Sequence, residues 1–157
     1  MGDRTSVMLQ VLRVDADRAR EIIEPIEGEA DQEDDPDGTS LLFDFHFNDV
    51  NYGNLNCLED LQEAGIPHDS SWESGGDYGP GCQSCRFTDT GGMIVNSVAA
   101  DEVGISTAIL MPHIDDHEKL KALIREHHGK VSNLPWDNQE EYAALYRTLK
   151  LIHAEHS

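Results

Sequence analysis

Ser40-Leu41-Leu42-Phe43-Asp44-Phe45-His46-Phe47-Asn48 alternates apolar and polar side chains almost without a break. Successive side chains leave a strand on opposite faces. Leu41, Phe43, Phe45 and Phe47 therefore share one face, and Leu42, Asp44 and His46 the other. A strand written this way belongs to a sheet covered on one side only, the habit of antiparallel sheets. Working outward, Thr5–Val14 sets Val7, Leu9 and Val11 on one face of another strand. Ile66–Glu73, Cys82–Thr88, Met93–Val98 and Ile105–Met111 read as further extended segments. Asp89-Thr90-Gly91-Gly92 is a hairpin-type turn between two of them.

Helical spacing appears between and after these strands. Asp15 or Asp17 caps a short helix bearing Ala19, Ile22 and Ile23, which Pro25 stops. Asn54 opens another, carrying Leu55, Leu58 and Leu61, with Gly65 as its C-terminal cap. From Asp115 or Asp116, Leu120, Leu123 and Ile124 recur until Gly129. A last helix follows Asp137 or Asn138, with Glu140 and Glu141 in a first turn that favours negative charge, and Tyr142, Leu145, Leu149 and Ile152 as its buried stripe. The expectation is a single α+β domain over residues 1–157, a mainly antiparallel sheet of about five strands with helices packed on one face. A chain of 157 residues can bury such a core without disulfide staples.

Charge is the strongest functional signal. The chain carries 31 acids against 11 bases, a net charge of -20. Between Glu21 and Glu118 the only base is Arg86, against 23 acids, whereas the stretch from Asp115 onward holds eight acids and six bases. Such a field repels a phosphate backbone, so direct nucleic-acid binding is excluded. No apolar run approaches the roughly 18 residues of a membrane helix, and the N-terminus lacks the basic, apolar and small-residue stretches of a secretory signal. A cytoplasmic protein without membrane attachment is expected. The densest acidic run, Glu27 to Gly38, has no apolar period and reads as a mobile loop. Other acids fall within segments that look folded.

The leading functional reading is an acidic, non-enzymatic binding protein. Carboxylates held on a folded frame would mimic nucleic-acid phosphates, occupying the basic surface of a nuclease or another nucleic-acid-binding defence protein and inhibiting it. The candidate contact residues are Glu33, Asp34, Asp35, Asp37, Asp44, Asp49, Glu59, Asp60, Glu63, Asp69, Glu73 and Asp77, with Trp72 and Tyr78 as aromatic anchors. A second reading is a protein–protein adaptor whose acidity is a high-salt adaptation.

A third reading is a small zinc domain or enzyme. Cys82-Gln83-Ser84-Cys85 is a C-x-x-C, and His113 and His117 form an H-x3-H. The 27 residues between the pairs exceed the usual spacing of about 12. If Cys82–Phe87 is extended, the two thiols point to opposite faces. Cys57 reads as a core thiol. Adjacent His and Asp residues, His46 with Asp44 and His68 with Asp69, could orient an imidazole for base catalysis, but no serine elbow or phosphate-binding glycine loop accompanies them. No catalytic residue and no required cofactor is therefore assigned.

Overall fold

The alternation through Phe47 is realised as the second-to-edge strand of a six-stranded sheet in a computed structural model, which describes residues 3–35, 41–76, 79–99 and 104–156. The elements run β1 (Arg4–Leu12), α1 (Ala16–Glu27), β2 (Gln32–Asp34), β3 (Leu42–Asn51), α2 (Leu58–Glu63), β4 (His68–Trp72), β5 (Gly81–Phe87) and β6 (Met93–Ala99). Three helices follow: α3 (Thr107–Leu110), α4 (His117–Val131) and α5 (Gln139–Glu155). The strand order is β2-β3-β1-β4-β5-β6, and every neighbouring pair is antiparallel. With helices on it, this is the α+β architecture read from the pattern.

Register explains where the core sits. Val7, Leu9 and Val11 lie opposite Phe47, Phe45 and Phe43 on one side, and opposite Trp72, Ser70 and His68 on the other. These side chains share one face, and α1 and α2 cover it. Ala16, Ala19 and Ile23 of α1 and Leu61 of α2 are buried there with the phenylalanines. The two helices are clipped together at both ends. The Glu27 carboxylate accepts from the backbone N–H groups of Asn56 and Cys57, the latter at 2.9 Å, just before α2 begins. The Arg18 guanidinium donates to the Ala64 carbonyl, 2.9 Å away, where α2 ends. The pair therefore runs antiparallel. Gly65 closes α2 at φ 70°, as its position predicts, and a Cβ there would come within 2.9 Å of the Tyr146 ring.

Several elements depart from the sequence reading. Pro25 lies inside α1, which continues to Glu27. Without an N–H, Pro25 cannot make the backbone bond to Glu21, and the helix ends two residues later. The sheet has six strands, not five, because Gln32–Asp34, within the run read as a loop, pairs with the edge of β3. Arginines make this acidic strand tolerable: Arg20 binds Glu33, and Arg13 binds the adjoining Asp35. Within Ile105–Met111, read as extended, the chain is helical from Thr107. Ser106 accepts from the Ala108 N–H and caps α3, and Met111–His113 continues as a 3-10 turn.

The last helix turns a different face inward from the one its apolar spacing predicts. Leu145, Leu149 and Ile152 are about half exposed, whereas Gln139 and Ala143 are buried. The cause is polar. The Gln139 side chain accepts from the Phe87 N–H at 2.8 Å and donates to the Phe87 carbonyl, and Tyr146 packs its ring on that of Phe87.

Between α4 and α5, the strap Ser132–Trp136 crosses the other face of the sheet over β5 and β6. Asn96 donates to the Ser132 carbonyl, and Asn133 to the Cys82 sulfur. The Trp136 ring lies 3.5 Å from the Arg86 guanidinium carbon. Among the described residues no such strap crosses the β2-β3-β1 half of that face, where Met8, Gln10, Asp44 and His46 are half-buried. Among the described residues, no helix is long and apolar enough to cross a membrane.

Candidate partner-binding surface

Asp17, Glu21 and Glu24 recur at i, i+4 and i+7, opposite the buried Ala16, Ala19 and Ile23, and line the solvent side of α1. Glu59, Asp60 and Glu63 are exposed on α2, which lies alongside. The helical layer thus carries six exposed carboxylates on its outer side. Of these, Glu59, Asp60 and Glu63 belong to the set read from the sequence. Asp17, Glu21 and Glu24 do not, although the helical period of residues 16–24 was enough to place them together.

Apart from Arg20, which also reaches Asp17 of this layer, the arginines are turned onto carboxylates outside it. All five in the first 102 residues make ion pairs: Arg4 with Asp49, Arg13 with Asp35, Arg18 with Asp15, Arg20 with Glu33 and Asp17, and Arg86 with Asp69. Arg20 is held charged chiefly by its hydrogen bond to Glu33. Asp15, fully buried before α1, also receives Arg147 from α5. Four of the sequence-derived contact acids, Glu33, Asp35, Asp49 and Asp69, are thereby engaged within the fold. Glu73 is exposed near the paired Arg4 and Asp49, at the opposite end of the sheet from Trp136.

Arg86 is the most enclosed of these cations. It is 1% exposed and donates to the carbonyls of His68 and Cys85 and to the Asp69 carboxylate at 2.8 Å, under the face of Trp136. A buried guanidinium is tolerated when its charge and most of its donors are answered in this way; both terminal nitrogens of Arg86 are engaged, and Nε is not. The one base of the long acidic span is therefore an internal strut.

Asp34, Asp44 and His46 gather on the uncovered half of the sheet. Their ligand-capable atoms lie within 4.8 Å of one another, the sole convergence of three or more His, Cys, Asp or Glu among the described residues. His46 Nε2 is 2.8 Å from Asp34, Gln32 donates to Asp34, and Gln10 donates to Asp44. The bonds from Gln32, first, and from His46 hold the Asp34 carboxyl below its ordinary pKa. The directly opposed Asp34 and Asp44 are thus supported by neighbouring donors. Beside them lies a cleft of about 310 Å³ lined by Ser6, Met8, His46, Asn48, Ser71 and Trp72.

The cysteine and histidine pairs stay apart. Strand β5 sets Cys85, fully buried, on the helix-covered face and Cys82 on the other, beneath Asn133. His113 lies in the 3-10 turn and His117 opens α4, and neither joins the cysteines in a convergent group. Burial pushes the Cys85 thiol up to about 11 and that of Cys57 to about 12, so both remain protonated at neutral pH. His68 and Asp69, neighbours on β4, face opposite sides. His68 donates from Nδ1 to the Ile66 carbonyl, and burial lowers its pKa, keeping it neutral.

Trp72 is clamped, not free. Its indole donates to the Gly79 carbonyl, and a Cβ on Gly81 would fall 2.4 Å from its ring. Asp37, Asp77 and Tyr78 lie outside the described residues. Comparison of the chain with protein-family models, with curated proteins and with solved structures gives no match.

Proposed function

We propose that the protein is a non-enzymatic acidic binding module whose α1–α2 layer engages a basic protein surface, of the kind a nuclease or another nucleic-acid-binding protein presents. One observation supports this reading above the others. The five arginines of the first 102 residues are paired within the fold, while six carboxylates on two clipped helices remain exposed. Fixed helices hold negative charges at set separations, as a phosphate backbone does, and cost the partner less ordering than a flexible acidic chain. The function is then occupation of a basic cleft in competition with nucleic acid.

The test is cleavage of DNA and RNA by a panel of strongly basic nucleases, titrated with the protein at low and high salt. Inhibition that weakens steeply with salt is expected. Neutralising the layer with Glu21→Gln, Glu24→Gln, Glu59→Gln and Glu63→Gln should weaken inhibition by about tenfold or more. Neutralising Asp115, Asp116, Glu118 and Glu126 changes the net charge equally and should have little effect. Equal losses from the two variants would reduce the activity to that of a diffuse polyanion. No inhibition of any nuclease at any salt would end the proposal.

A further inference from the structure

Eight of the fourteen large apolar residues that stand exposed among the described residues fall between Ile109 and Ile152. Ile109, Met111 and Ile114 project from α3 and the turns after it, and Leu145, Leu149 and Ile152 form an i, i+4, i+7 stripe on α5. Helix α4 carries Leu120, Leu123 and Ile124 at helical spacing yet has no buried residue. A helix of that length with only partial burial of Leu120 and Leu123 is marginal in water. An apolar surface of this extent marks a contact site.

Charge selects the occupant. Residues 1–102 hold 23 acids and five bases, a net -18, whereas residues 103–157 hold eight and six, a net -2. Two copies of this chain would repel through almost any surface of the first region. The near-neutral helical segment is where they can meet. Helix α5 is also complementary to itself. Antiparallel pairing about a two-fold axis at Arg147 sets Leu145 of each copy against Leu149 of the other. Glu141 of each copy then lies level with His153 of the other. A two-fold contact requires such self-complementarity. From this juxtaposition we infer that the segment from Ile105 to Glu155 is a homodimer interface centred on the Leu145–Leu149–Ile152 stripe. The acidic layers of the two copies are left free, so the interface does not depend on the function proposed above.

Sedimentation equilibrium across a dilution series, in low salt and in about 0.5 M salt, tests it. The expected mass is twice the chain's 17.5 kDa. Association should tighten with salt, because screening removes the repulsion between two chains of charge -20 while apolar contact persists. Leu149→Glu with Ile152→Glu should raise the dissociation constant by about 100-fold or more, with the circular dichroism of the fold retained. Leu145→Ser supplies the same comparison should the double variant misfold. Val14→Glu, at an exposed site outside the segment, should leave the dimer intact. A chain that sediments at 17.5 kDa at every concentration in both salts overturns the inference, since another occupant must then cover the face. A dimer that survives the stripe variants overturns it equally.

Discussion

The sheet with α1 and α2 and the helices after residue 104 solve opposite problems. The first region carries almost all of the net charge over a filled core, with Leu9, Val11, Phe45, Leu61 and Ile23 at or near zero exposure. The second is close to neutral and leaves seven of its leucines and isoleucines about half in water or more. Charge is thus concentrated in one region and the larger share of open apolar surface in the other. A complete core can support a repelling surface, because the repulsion is spread over water, whereas an apolar face awaiting contact cannot carry that repulsion and still be approached. The lesson is that net charge describes this chain poorly until it is divided by region.

The largest effect that bears on this contrast is at the buried strut between the regions. Arg86→Met leaves the Asp69 carboxylate unpaired and should cost about 3–5 kcal/mol in urea unfolding. Adding Asp69→Leu should recover most of that loss. A cost for Arg86→Met below about 1 kcal/mol would mean that water already reaches the pair. Next, Leu61→Ala, at a fully buried site of α2, should cost about 2–5 kcal/mol. Leu151→Ala, at a site 68% exposed on α5, should stay within about 0.5 kcal/mol. Equal costs would erase the distinction between the regions.

The smallest expected effect is a pH dependence inside the sheet. Burial lowers the His68 pKa in the folded protein, while the unfolded chain titrates near 6.5. Below that value the unfolded state binds more protons, so the stability contributed by neutral His68 is present above about pH 6.5 and lost as pH falls toward the folded value. Acidification also relieves the general repulsion, which acts in the other direction. The measurement is therefore the difference between the wild type and His68→Gln in urea midpoint at about pH 7.5 and 5.5. The wild type should lose up to about 1 kcal/mol more than the variant on acidification. A constant difference would sink this reading of His68.

Local pattern was a good guide where a single face decides the matter. The alternation at Leu42–Phe47 and Val7–Val11 led straight to β3 and β1, and Gly65 marked the end of α2. It failed where a polar contact chose between possible faces. Helical spacing found the apolar residues of α5, but Gln139 at the Phe87 backbone and Arg147 at buried Asp15 set which side turns inward. Strand β2 was hidden because its pairing depends on Arg13 and Arg20, distant in sequence and themselves placed by the fold. For the surface, the count of acids was legible, whereas their division into paired and free groups was not. Asp69 and Glu73 look alike in sequence; one is bound to the buried Arg86 and the other is exposed.

The strap makes the two regions interdependent. Trp136, a residue of the tail, is the roof over a guanidinium that belongs to the sheet. Peeling the tail away would therefore wet the strut and unseal the sheet's far side in one event. The C-terminal helices are not an ornament that can be trimmed without consequence. They act as the clasp of the acidic body, and whatever grips them from outside also steadies the sheet.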